Sequence, residues 1–182
     1  MNKEYETLDD LIKNNLNTLE TTKALELIEE LKDVSVKGVL TKKQFYDVAM
    51  WKSPRPKNYY LSNSEESIIE VSKGVLLTNS EEIKMSLLTS LNGVSVAVAS
   101  SLLTIIDPKN YGIIDIRVWQ LLYLYGEIKT KPHGQGFNLS NWKTYISILR
   151  KYASKLNMNV RDIERIFFFH HRKIQVGNLY PV

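Results

Sequence analysis

What most constrains this chain is the spacing of its apolar residues. They recur at intervals of three and four behind polar start signals, and almost nowhere do they alternate. Thr7-x-x-Asp10 opens one such segment, with Leu8, Leu11, Ile12, Leu16 and Leu19 expected on one face. "TTKALELIEELK" predicts a second helix, and "TKKQFYDVAMWK" a third capped by Thr41. "SPRPKNYY" at 53–60 holds two prolines and cannot be helix interior. "SNSEESIIEVSKGVLL" and "NSEEIKMSLLTS" each begin with a polar cap followed by paired glutamates, as a helix N-terminus favours. Later segments predict helices to about Ile106, from about Ile116 to Tyr125, from Asn141 to about Leu156 behind a Ser140 cap, and after Asn159. Residues 127–139 read as the least ordered loop. Without repeats, low-complexity tracts or a linker, the expectation is an all-α chain forming one domain over 1–182.

Within this pattern "LNGVSVAVAS" at 91–100 stands out. A bare Asn92-Gly93 turn separates two helical patterns, and the residues after the turn are almost all small. Helix, tight glycine turn, helix is a recurrent way to grip a phosphate: backbone N–H groups and the second helix's N-terminus converge on the anion, and glycine lets it approach. Asn92, Gly93, Val94, Ser95 and Val96 are the residues expected at such a contact. Ala97, Ala99 and Ser100 are small enough for a neighbouring helix to pack closely.

The stretch "LNGVSVAVASSLLTIIDPKNYGIIDIRVWQLLYLYG" resembles the helix-hairpin-helix (HhH-GPD) DNA glycosylases. Leu91-x-Gly93-Val94-Ser95 matches that family's hairpin and Ala97-Val98-Ala99 its small-residue helix. Ile113-Ile114-Asp115 matches the hydrophobic pair and aspartate that open its next helix, with Gly93 and Asp115 22 residues apart. The resemblance implies a two-lobed all-α fold, with the hairpin motif at about 82–106 and the catalytic aspartate region at 111–126. Ser95 stands where the family usually has a second glycine, although serine can cap the helix. Ala97 occupies the position of the lysine that forms a Schiff base in bifunctional members, which implies a monofunctional enzyme. Gln120 replaces an arginine often found after the aspartate. The family's iron–sulfur loop is absent, as a chain without cysteine requires.

Hydrolysis of an N-glycosidic bond passes through a sugar with oxocarbenium character. A carboxylate beside the anomeric carbon stabilises that charge and can activate water. Asp115 is the resemblance's candidate for this role, and the plain reading of its position is a helix N-cap. A flipped base needs aromatic faces and hydrogen-bond donors. Trp51, Lys52, Arg55, Asn58 and Tyr59 offer them around one helix end, with Tyr60 adjacent, and Trp119 offers another face one turn from Tyr123.

The charge distribution bears on the partner. Residues 1–33 hold 4 Lys and Arg against 9 Asp and Glu, while 37–60 hold 6 against 1 and 129–182 hold 10 against 2. Basic clusters of this kind suit a polyanion, here double-stranded DNA. With no cysteine and three histidines, two of them adjacent, neither a metal nor another cofactor is expected. No run reaches about 18 apolar residues, so no membrane partner is expected. "MNKEYETLDD" does not read as a signal peptide. The expectation is a cytoplasmic, nucleoid-associated monomer. Two further readings compete with the enzyme: a non-catalytic helix-hairpin-helix DNA-binding module, and an interaction domain docking through the acidic first 33 residues.

Overall fold

The computed structural model describes residues 2–179, and among them there are helices and no strand. None of these helices is long and apolar enough to cross a membrane. The chain divides into two compact units. The first comprises residues up to Glu20 together with those from Lys109 onward; the second is Thr21–Pro108.

The second unit holds α2 (Thr22–Leu31), α3 (Val34–Lys37), α4 (Lys42–Lys52), α5 (Lys57–Leu61), α6 (Glu65–Leu77), α7 (Glu81–Thr89) and α8 (Val96–Ile106). Side-chain caps set most of the starts. Thr21, Ser64, Ser80 and Ser95 each accept an N–H from the first turn, and Thr41 and Gln44 form a reciprocal capping box. Helix α8 is the core of this unit, buried without a break from Val98 to Ile105 and packed by α2, α4 and α7. Its polar residues survive burial because their hydroxyls bond back to the helix: Ser100 to Ala97 O, Ser101 to Val98 O and Thr104 to Ser100 O. The segment 53–60 differs from expectation in its second half. A turn over 54–56 leads into α5 and Pro56 becomes its N-cap, a place where a proline is tolerated because no intrahelical N–H is needed.

The first unit holds α1 (Leu8–Asn14), α9 (Ile116–Leu124), α10 (Leu139–Leu156) and α11 (Val160–Ile174). Helix α11 packs against the other three and buries Val160, Ile163, Ile166 and Phe167. Two boundaries are corrected. Helix α1 stops at Asn14, so Leu16 and Leu19 leave its apolar face and lie exposed. Helix α10 starts earlier than its serine suggested: Asn138 is the cap, in a box with Asn141, and Ser140 lies inside the first turn.

The segment ahead of α9 is pinned along its length. Val160 N–H donates to Lys109 O at 3.1 Å, Arg150 Nε to Asn110 O at 3.0 Å, and the buried Tyr145 hydroxyl to Ile113 O at 2.6 Å. A Cβ on Gly112 would come within 2.7 Å of Leu149 Cδ1 and 3.1 Å of Glu164 Cβ, so only glycine fits there without repacking. Asp115 therefore enters α9 from a fixed segment.

The charge asymmetry of the sequence is offset only in part within this unit, which holds 14 Lys and Arg against 9 Asp and Glu. Lys173 pairs with Glu4 at 2.8 Å, Lys155 with Asp9 at 2.8 Å and Lys151 with Glu127 at 3.3 Å. Glu20 accepts two bonds from Arg161, at 2.7 and 3.0 Å. The acidic first 33 residues divide between the two units at Glu20.

Candidate functional site

In the second unit the hairpin between α7 and α8 turns at Gly93, whose φ of 82° is a left-handed conformation that favours glycine. Close packing requires glycine as well. A Cβ there would lie 2.9 Å from Tyr59 Cβ and 3.0 Å from the Tyr60 ring. What comes close to this backbone inside the protein is thus the turn of α5. Tyr60 is buried, its hydroxyl donating to Ser53 O at 3.1 Å, whereas Tyr59 is 66% exposed.

Asn63 joins the two pieces, and its pattern gave no sign of this in the sequence. The Asn92 N–H donates to Asn63 Oδ1 at 2.8 Å, and Asn63 Nδ2 donates to Asn92 O at 3.1 Å. The same Nδ2 reaches the Tyr59 and Tyr60 carbonyls, each at 3.1 Å. Lys42, from the first turn of α4, donates to the Leu61 and Asn63 carbonyls at 3.0 and 2.6 Å.

These bonds decide which hairpin amides face outward. The Asn92 N–H is taken by Asn63 and the Val94 N–H by Leu91 O at 3.1 Å, so neither is left to meet a ligand. Val94 is also buried. The amides of Gly93, Ser95 and Val96 have no hydrogen-bond partner among the described residues. Ser95 caps α8, its Oγ accepting from Val98 N–H at 3.4 Å.

Around the same turn, Arg55, Lys57 and Asn58 are exposed, and Trp51 and Lys52 are half-buried at the end of α4. The basic run is less available than its composition suggested. Lys37 and Lys43 pair with Asp33, Glu30 and Asp47, and Lys42 is tied to carbonyls. Arg55 and Lys57 have no ion-pair partner among the described residues.

In the first unit Asp115 is half-buried and caps α9, Oδ1 accepting from Arg117 N–H at 2.9 Å. Arg117 contacts the Gln175 side chain and lies over the Phe168 ring. The wholly buried His171 feels both Asp115 and Arg117. Burial first, then the Arg117 charge, lowers its pKa to about 4, against an opposing pull from Asp115.

Trp119 is a correction. It has no exposed surface, so it presents no face to a base, and Nε1 donates to Lys131 O at 2.9 Å and Thr130 O at 3.3 Å. Its ring lies 5.0 Å from that of Phe137. The loop expected to be least ordered is therefore braced, with Gln120 Nε2 donating to His133 O at 3.0 Å and Lys131 Nζ to Gly136 O at 2.6 Å. It lies on the start of α9: a Cβ on Gly134 would sit 3.0 Å from Ile116 O. Its partner in sequence spacing, Tyr123, is the residue facing solvent.

No family model matches this chain, and no curated protein or solved structure matches it significantly.

Proposed function

We propose that this protein is a monofunctional DNA N-glycosylase of the helix-hairpin-helix kind, acting on a damaged, mismatched or modified base in duplex DNA. The observation that supports it most is the hairpin at Gly93. Three unpartnered amides stand at the turn and the start of α8, and the stem of the exposed Tyr59 lies against the turn. A phosphate received there meets N–H donors and the positive end of the helix. Tyr59 and Arg55 are our candidates to enter the opened duplex, and Trp51 and Lys52 to meet the flipped base.

Asp115 carries the chemistry. As the bond from C1′ to the base nitrogen breaks, its electron pair leaves with the base, which takes up a proton. The sugar becomes an oxocarbenium ion facing the Asp115 carboxylate, and water adds to C1′ and gives up a proton. Ala97 supplies no amine, so no Schiff base forms and the strand stays intact at an abasic site.

A second reading, a non-catalytic DNA-binding module, is favoured by one fact: Asp115 already has a complete structural role as the cap of α9. Base release from duplexes that each carry one altered base, developed with alkali, separates the two. Asparagine caps a helix about as well as aspartate, so Asp115→Asn keeps the fold and removes the charge. The expected result is alkali-dependent breaks with one substrate, reduced about a hundredfold or more in the variant. A wild-type protein that binds DNA and releases no base supports the module, and a fully active variant removes Asp115 from the chemistry.

A further inference from the structure

We infer that Asn63 is a positioning residue that locks Tyr59 and the Gly93 hairpin into one nucleic-acid-contacting element. A base stacked on Tyr59 is thereby held at a fixed distance from a phosphate gripped at the hairpin. The inference rests on the hairpin reading above and adds to it the group that sets its geometry.

Asn63 and Asn92 are 29 residues apart in sequence, and the α5 turn and the hairpin share no helix. Two independent ties make them rigid. One is the Asn63 side chain, 4% exposed, which satisfies both the N–H and the carbonyl of Asn92 and holds the Tyr59 and Tyr60 carbonyls with the same amide nitrogen. Only a carboxamide of this length carries donor and acceptor on separate atoms at that reach; serine has both on one shorter hydroxyl, aspartate only accepts, and alanine does neither. The other tie is the bare Cα of Gly93 seated against the stem of Tyr59.

The Tyr59 ring is two-thirds in water, and the backbone that carries it is firmly held. A stacking platform uses that combination, because a ring whose backbone is fixed in advance loses less freedom when a base settles on it. Contact between the stem of Tyr59 and the Gly93 backbone means that the stacked base and the gripped phosphate belong to neighbouring nucleotides.

The test uses the full-length protein and a duplex with 2-aminopurine beside a tetrahydrofuran abasic analogue. Wild type is expected to raise the 2-aminopurine fluorescence on binding. Tyr59→Ala should abolish the rise and weaken binding about tenfold, the size of one stacked base, leaving the salt dependence unchanged. Asn63→Ala and Asn63→Gln, the latter keeping the amide but not its reach, should do the same while folded by circular dichroism. Combining either with Tyr59→Ala should cost no more than Tyr59→Ala alone. A residue that only supports the fold would lower the melting temperature without changing the fluorescence of the bound complex, and that result overturns the inference, as do additive losses. Failure of wild type to bind the duplex at low salt overturns the hairpin reading and this inference together.

Discussion

Gln120 Oε1 lies 3.0 Å from His171 Nε2, and the nitrogen of the same amide donates to His133 O at 3.0 Å. One side chain thus ties a loop and α11 to α9. An arginine at this position would bring donors alone and could not accept from an imidazole N–H. Glutamine suits this place because its amide gives one bond and takes the other. Gln120→Leu is expected to cost about 1–3 kcal/mol, the range for leaving buried polar groups unpaired. Urea unfolding measures that loss, and amide exchange at residues 131–136 should quicken.

The buried histidines set an acid limit on the first unit. Burial lowers the pKa of both His170 and His171, the latter to about 4 from an ordinary 6.5. At His170 the Glu4 carboxylate, 3.6 Å away, opposes the shift, and Lys173 adds to it. Folded, these rings stay neutral; unfolded, they take up protons below about pH 6.5. The unfolded state then binds more protons, so stability is full above pH 6.5 and falls as pH drops toward 4, by at most about 1.4 kcal/mol per pH unit for each ring. Urea midpoints between pH 7 and 4.5 should trace this slope, and it should shallow in His171→Gln.

Helix starts were legible where a short polar side chain had only one local use. Thr7, Thr41, Ser64, Ser80 and Ser95 cap where the sequence put them. Asn63 was not, because in "SNSEES" it is one of several residues able to cap a helix, and its real partners are 29 residues away. Trp119 misled for a related reason. Helical spacing locates a ring on a helix but does not say which face meets the core, and here Tyr123 took the solvent side. The acidic and basic runs also looked like free surfaces, since composition does not record that Glu4, Asp9 and Glu20 find their cations in the last two helices.

Two glycines should fail for different reasons when given a Cβ. At Gly93 the backbone is left-handed and the new atom meets Tyr59 Cβ, which cannot swing aside. Gly93→Ala is expected to cost about 1–3 kcal/mol and, under the proposed function, to weaken DNA binding. At Gly112 the conflict is packing, chiefly with the end of the Leu149 side chain. Gly112→Ala is expected to cost about 1–3 kcal/mol, with part recovered by Leu149→Val and no such rescue at Gly93. Thermal melts of the single and double variants decide it.

The largest single loss is expected at Arg161. Its side chain is 9% exposed, holds Glu20 with two bonds and contacts Glu164, whose own side chain is 2% exposed. Burial disfavours the guanidinium charge, yet Glu164 and Glu20 outweigh it and push its pKa up. Arg161→Met leaves two carboxylates buried without their main partner, a loss of about 3–5 kcal/mol. Unpaired buried carboxylates take up protons, so the deficit relative to wild type should shrink as pH falls from 7 to 5. Lys155→Met, which removes an exposed partner of Asp9, should cost under about 1 kcal/mol and less in high salt. Urea unfolding at two pH values and two salt concentrations distinguishes the variants. A loss at Arg161 no larger than that at Lys155 would mean that the buried network adds nothing to holding the Glu20 end of the chain against α11.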